Sequence, residues 1–444
     1  MRGLRSFLLL LVVGLGLGGY VYFVESKRDP SDTDKKAKAF TVEADKIDEI
    51  TVKPESGQQT TLRKSGTAWQ IAQPEAAEPD GAEVSSLTTN LSTLEVQSVV
   101  DENPGDLAEY GLAPPRIEVT FKAGGQEHRL QVGRKTPPGT DLYAKRGDEK
   151  RVFLIPSYLE STFNKSPFDL RDKTVLKLDR DKIDAVAVTS AKGTVQFNRA
   201  DGEWQMTAPL KARADFTSVD SIVSRLHTLQ MKSLVAPEAA TLVGYGLDKP
   251  ATTIRLGSGS SQAVLLIGKE AGEGVVYAKD QSRPPVITID ASLVTDATKD
   301  ASDFRQKDLF DARAFNANRV EIVRGNETIA FEKSKTKDKD GKEESKWKQV
   351  SPTARDVDQT KVDNLFAAIS SARATGFVDS PAKTGLDKPE LTIAIKFDEG
   401  KREEKVALAR SGSDGYATRA GEPGAAKVDI AAIENVVKSL EALK

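Results

Sequence analysis

The sequence predicts an α+β fold: one amino-terminal transmembrane helix followed by three tandem copies of a mixed strand/helix module, mainly antiparallel sheet with helices on one face. Three observations carry this. Gly246-Leu247-Asp248-Lys249-Pro250 recurs letter for letter as Gly385-Leu386-Asp387-Lys388-Pro389, with a fainter copy at Gly111-Leu112-Ala113-Pro114-Pro115. The chain has three tryptophans, Trp69, Trp204 and Trp347, spaced by 135 (204 − 69) and 143 (347 − 204) residues, against 135 (246 − 111) and 139 (385 − 246) for the Gly-Leu turn. Tyr143-Ala144, Tyr277-Ala278 and Tyr416-Ala417 repeat in step with them. Periods this long mark duplicated domains and not the short units of a solenoid.

Taken in order, residues 1–6 are a short tail carrying Arg2 and Arg5, and Phe7 to Val24 is an uncharged, mostly apolar run. At about 1.5 Å per residue that run covers roughly 27 Å, enough to span a bilayer core. The positive-inside rule puts the tail in the cytoplasm and everything after Val24 outside. Bulky residues from Tyr20 to Val24, where small ones precede a signal-peptide cut, favour an uncleaved span. Residues 25–40 lack apolar periodicity and read as a solvated stalk linker. Modules are expected at 41–176, 177–313 and 314–444.

Within each module the register holds residue by residue. Five positions after the tryptophan stands a proline (Pro74, Pro209, Pro352), and eleven positions after it an aspartate (Asp80, Asp215, Asp358). Apolar residues then fall at steps of three, four and three: Val84, Leu87, Leu91 and Leu94; Val219, Ile222, Leu226 and Leu229; Val362, Leu365, Ile369 and Ala372. That is one face of a helix, with the aspartate as its N-cap and Glu83 completing a capping box in the first copy. Strand runs flank it: Ile47 to Val52, Val186 to Val188 and Val320 to Val323 before, and alternating runs after each Gly-Leu turn, such as Ile117, Val119 and Phe121. In that turn glycine (Gly111, Gly246, Gly385) permits positive φ, leucine (Leu112, Leu247, Leu386) plugs the core, and proline (Pro115, Pro250, Pro389) opens the next strand. A second helix closes the module, clearest at Ile433, Val436, Val437 and Leu440. The third copy is longer because a charged run from Glu332 to Lys346 extends the loop before Trp347.

Composition narrows the function. With 64 basic and 66 acidic side chains the 444-residue chain has a net charge of −2, and no local basic stripe offers nucleic acid a path. The absence of cysteine removes disulfides, thiolate catalysis and Cys-based metal sites. Two histidines, His128 and His227, occupy non-equivalent positions, each alone, and read as partly exposed structural residues. No paired-histidine spacing offers a metal site. Gly257-Ser258-Gly259-Ser260-Ser261 lacks the Lys-Ser/Thr of a phosphate loop and reads as a hairpin turn. No catalytic, cofactor-binding or metal residues are expected, and no cofactor. The tryptophans are either packed under their helices or stacking platforms for sugar rings; their fixed spacing to the helix face favours packing.

The order Trp-x4-Pro, capped helix, Tyr-Gly-Leu-x2-Pro (Tyr110 to Pro115, Tyr245 to Pro250), then Tyr-Ala resembles a bacterial family, domain of unknown function (DUF) 4340. The resemblance covers nearly everything after residue 40. It implies an envelope protein with one span, encoded beside gliding-type ABC transporters, lying in the bacterial inner membrane with the bulk of the chain periplasmic. The family supplies no catalytic residues. Thr384 in place of tyrosine, and Leu408-Ala409 where Val132-Gly133 and Ile267-Gly268 stand, mark the third copy as drifted. The expected function is a non-enzymatic, membrane-anchored scaffold or accessory subunit whose partners are proteins, ABC-type permease components among them. The alternative is a carbohydrate- or cell-wall-binding module array; an enzyme ranks third.

Overall fold

The computed structural model of the chain describes residues 36–147, 149–337 and 343–444. The expected tail and span at 1–24 lie outside them, as do most of the stalk and the tip of the charged hairpin in the third copy. Among the described residues no helix is long and apolar enough to cross a membrane. The chain forms two compact units, one ending at Lys173 and the other running from Thr174 to Lys444.

The first unit is one eight-stranded antiparallel sheet. Its strands are β1 (Ile47–Lys53), β2 (Thr60–Ser65), β3 (Ala68–Gln73), β4 (Val99–Asp101), β5 (Ile117–Ala123), β6 (Gln126–Lys135), β7 (Asp141–Arg146) and β8 (Val152–Pro156). They lie in the order β3-β2-β1-β5-β6-β7-β8-β4. Helix α1 (Gly81–Thr93) follows β3 at one edge and precedes β4 at the other, so it must cross the sheet. That crossing explains its stripe: Val84, Leu87 and Leu91 are buried, with Leu94 just beyond the helix end. Burying four such side chains contributes roughly 6–12 kcal/mol before the entropy of ordering them. In β1 a bulge between Ile47 and Glu49 lets Ile47 and Ile50, three apart, face the same core.

The end of the expected stalk belongs to this unit. Ala39 N donates to Leu94 O, Val96 N donates to Ala37 O, and Phe40 is buried edge-on against Phe121 with ring centroids 5.0 Å apart. A single phenylalanine after a charged run carries no periodicity, which is why the stretch reads as solvated.

The second unit repeats the plan twice. Strands β9 (Ala185–Ser190), β10 (Gly193–Ala200), β11 (Glu203–Ala208), β12 (Ala212–Arg213), β13 (Ser233–Ala236), β14 (Thr252–Ser258), β15 (Ser261–Gly272), β16 (Val275–Asp280) and β17 (Val286–Asp290) form one sheet. The other contains β18 (Ala317–Arg324), β19 (Glu327–Lys337), β20 (Glu343–Ser351), β21 (Arg355–Asp356), β22 (Ala374–Val378), β23 (Leu391–Phe397), β24 (Arg402–Ser411), β25 (Asp414–Arg419) and β26 (Ala425–Val428). Their orders, β12-β11-β10-β9-β14-β15-β16-β17-β13 and β21-β20-β19-β18-β23-β24-β25-β26-β22, match the first sheet apart from a two-residue strand added at one edge. In the first unit that strand is reduced to a single bridge, Ile71 to Ala77. Three mainly antiparallel sheet modules of one topology are therefore present.

Crossing helices recur as Phe216–His227 and Gln359–Ser371. The closing helix is less regular than expected. Only the third copy has a full one, Ile430–Glu441, whose Ile433, Val436 and Leu440 are buried. The first two copies have short helices, Glu160–Phe163 and Ser292–Ala297, because there the chain must run on into the next module and aromatic residues such as Phe163 and Phe304 fill the core instead.

Inside the second unit the two sheets meet through a charged joint. Arg213 on β12 donates to Asp311 (2.5 Å), Glu422 (2.7 Å) and the Asp308 carbonyl (2.7 Å). Arg419 on β25 donates to Glu404 (2.6 Å), Asp311 (3.1 Å) and the Leu309 carbonyl (2.7 Å). The guanidinium of Arg305 sits 3.8 Å from the Phe377 ring centroid, and burial lowers its pKa against the opposing pull of Glu422.

Candidate functional site

The repeated residues gather at two places in each module. The first is a corner where the second hairpin strand meets the crossing helix. Antiparallel pairing sets a cation opposite each tryptophan: Lys64 opposite Trp69, Arg199 opposite Trp204, Lys333 opposite Trp347. The Arg199 guanidinium lies 5.8 Å and the Lys333 ammonium 5.1 Å from the indole centroid, within cation–π range. The loop ahead of the first strand tethers the lysines: Lys64 Nζ donates to Asp45 O (3.0 Å) and Lys333 Nζ to Ala314 O (2.7 Å) and Phe315 O (3.3 Å). Burial pulls the Lys333 pKa down, with Asp363 opposing. This pairing is absent from the sequence reading. The cation stands five residues before the tryptophan in two copies, but the charged insertion hides the third.

The repeated prolines, Pro74, Pro209 and Pro352, all follow cis peptide bonds that end the tryptophan strand. The repeated aspartates are N-caps. Asp80 accepts from Ala82 N and Glu83 N, Asp215 from Ser218 N, and Asp358 from Thr360 N and Lys361 N. The capping box expected at Glu83 is half made. The Asp80 N–H is already donated to Leu170 O, and the Glu83 carboxylate turns to Lys165 (2.9 Å).

The corners differ at the first helical residue after the cap. Phe216 fills it in the second copy, with Arg199 5.6 Å from its ring centroid, and Trp204 is 1% exposed. Gln359 fills it in the third. Its Oε1 accepts from Trp347 N (2.7 Å), its Nε2 donates to Trp347 O (3.0 Å), Phe366 packs 5.0 Å from the indole, and Trp347 is 4% exposed. The first copy has Gly81 there, and a cavity of about 550 Å³ opens between Trp69 and the helix. Trp69 is half-buried on its wall. An array of three stacking platforms needs three open indoles, and two are sealed.

The second gathering place is the Gly-Leu turn. Gly111, Gly246 and Gly385 have φ of 69°, 67° and 76°, a region that favours glycine. Leu112 and Leu247 are buried. Pro115, Pro250 and Pro389 stand just ahead of β5, β14 and β23. The fold brings the two signature tyrosines together: Tyr110 meets Tyr143, and Tyr245 meets Tyr277, edge-on with centroids 5.1 Å apart in both copies. Gly133 and Gly268 make room for this, since a Cβ on either would overlap the carbonyl oxygen of Tyr110 or Tyr245. In the third copy these positions change together. Thr384 is buried in place of tyrosine, Ala409 replaces the glycine, Leu386 is only half-buried, and Tyr416 donates instead to Asp414 (3.5 Å). The drift is a coordinated re-seating of one turn.

The remaining candidates are structural in their surroundings. His128 stacks 5.1 Å from Phe121, and His227 Nδ1 lies 3.3 Å from Leu178 O. The glycine-serine stretch is the β14–β15 turn, and the Gly259 amide that a phosphate would take donates to the Asp184 carboxylate (3.0 Å). Among the described residues no group of three or more His, Cys, Asp or Glu side chains is placed to hold a metal ion.

These features define a class: a tandem-repeat α+β protein whose shared residues are turns, caps and core. The domain of unknown function DUF4340 matches residues 69–203 and 204–389, and the chain belongs to that family. Both matched stretches begin at a tryptophan, Trp69 and Trp204, on the third strand of a structural module. No curated protein matches the chain. A crystal structure of the DNA polymerase III subunit beta from Pseudomonas aeruginosa aligns at 9% identity over 89% of this chain and 93% of that one, with a TM-score of 0.16, a value that carries no argument.

Proposed function

We propose that the chain is a non-enzymatic scaffold or accessory subunit of a bacterial envelope assembly, held by the Phe7 to Val24 span in the inner membrane with its modules on the periplasmic side. One observation supports this most directly. The residues that recur across the modules are spent on the fold itself: indoles packed against the core, N-caps, positive-φ glycines and, in two of the three copies, an aromatic pair. What duplication multiplies is then surface on a rigid frame, and surface recognises other proteins. ABC-type permease components are the partners to test first.

Crosslinking the full chain in native membranes, followed by mass spectrometry, tests the reading. Crosslinks that reproducibly join module surfaces to membrane permease subunits are expected. Recovery of the chain free of protein partners would overturn it.

A further inference from the structure

We propose that the Trp69 cavity of the first module is a binding site for an uncharged sugar ring, made by emptying a corner that the other two modules keep full. Equivalent positions differ in size: Gly81 stands against Phe216 and Gln359, Ser85 against Asp220 and Asp363, and Thr88, matched in shape by Val223, against Phe366. The second copy is sealed further by an ion pair from Arg180 to Asp220 (2.6 Å), whose positions correspond to Asp45 and Ser85 on the rim of the cavity. A corner that is filled in the second and third copies stands open in the first, while the helix, cap and cis proline around it are unchanged.

The chemistry of the walls selects the ligand. At about 550 Å³ the space is of small-molecule size. One wall is the half-buried indole of Trp69, a flat apolar face suited to the C–H side of a pyranose. The rim carries the Asp45 and Glu78 carboxylates, the Ser85 and Thr89 hydroxyls and Lys64, acceptors and donors of both signs around one aromatic plane. A hydrocarbon would make no use of that polar rim, an anion would meet the Asp45 carboxylate, and a cation would meet Lys64. A polyol with one apolar face matches both wall and rim. This site is independent of the scaffold reading, since it concerns one corner of one module.

The test is ligand-observed saturation-transfer NMR on the full chain, kept in a sugar-free detergent, with cellotriose, chitotriose and maltotriose as probes. Gly81→Phe carries the decisive variant: it inserts the second copy's residue at a position where a Cβ meets nothing within 4 Å, so the backbone has room for a side chain. Transfer to ring protons of at least one trisaccharide is expected in the wild type, with an affinity weakened at least ~10-fold in Gly81→Phe and in Trp69→Ala. Gly81→Phe should melt at or above the wild-type temperature, which separates a filled site from a damaged one. No transfer from any of the three at tens of millimolar, or undiminished binding in a folded Gly81→Phe, would overturn the assignment.

Discussion

Glu404 is the buried hinge-pin of the joint in the second unit, and its removal has a calculable cost. The side chain is fully buried on β24, where one oxygen accepts from Ala312 N (2.9 Å) and the other from Asp311 N (3.0 Å) and Arg419 (2.6 Å). It therefore ties the segment entering the last sheet to that sheet's own interior. Glu404→Gln keeps the shape but turns one acceptor into a donor facing a donor, orphaning at least one buried N–H. A lost buried partner costs about 1–3 kcal/mol, more with a charge involved, while Arg419 retains Asp311 and the Leu309 carbonyl. The expected loss is about 2–4 kcal/mol, and Glu404→Leu, which orphans both backbone N–H groups and takes one acceptor from Arg419, reaches about 3–5 kcal/mol. Urea unfolding of the full chain, followed by circular dichroism, measures the loss, and hydrogen exchange at the Asp311 and Ala312 amides locates it. Glu49→Gln is the control, because that residue's pairs with Arg63 and Lys122 lie at the surface and are worth under about 1 kcal/mol. A Glu404→Leu protein within about 0.5 kcal/mol of wild type, with unchanged exchange at both amides, would refute the reasoning.

Gly268→Ala drives a methyl into the Tyr245 carbonyl and should destabilise the second module by about 1–3 kcal/mol, whereas Ala409→Gly at the re-seated turn should cost less than about 1 kcal/mol. Parallel denaturant titrations compare the two. Hydrogen bonds from Lys135 first, and then from Arg116, hold the Glu160 carboxyl below its usual 4.5. A depressed carboxylate contributes stability that is present above the unfolded value and lost as pH falls through the folded one. Glu160→Gln should therefore lower stability at neutral pH and converge with wild type below pH ~3, as thermal melts across that window will show.

Much of this architecture was legible in the chain. Trp69, Trp204 and Trp347 with their prolines and aspartates gave the register, and period-two runs such as Ile117, Val119 and Phe121 gave the central strands, because burial on one face imposes those spacings. Edge strands were not legible. Val99–Asp101 is three residues long, with two exposed valines and no alternation, so only its pairing with β8 defines it. The tyrosine pair and the cation opposite each tryptophan escaped for another reason: one joins a 3-10 turn to a strand and the other joins neighbouring strands, so both are fixed by tertiary register and not by local pattern. The difference among Gly81, Phe216 and Gln359 was visible as letters, yet its meaning depends on the start of the crossing helix lying beside the tryptophan strand. The half-made capping box at Glu83 shows the converse, a local motif overridden by a distant lysine.

One scaffold is present three times along the chain, with its tryptophan corner sealed in two copies and open in one. Acrylamide quenching of three full-chain variants, each retaining a single tryptophan with phenylalanine at the other two positions, tests it directly. Trp69 should be quenched several-fold more strongly than Trp204 or Trp347, which should sit near the limit for buried indoles. Equal quenching of all three, or ready quenching of Trp204 or Trp347, would contradict it.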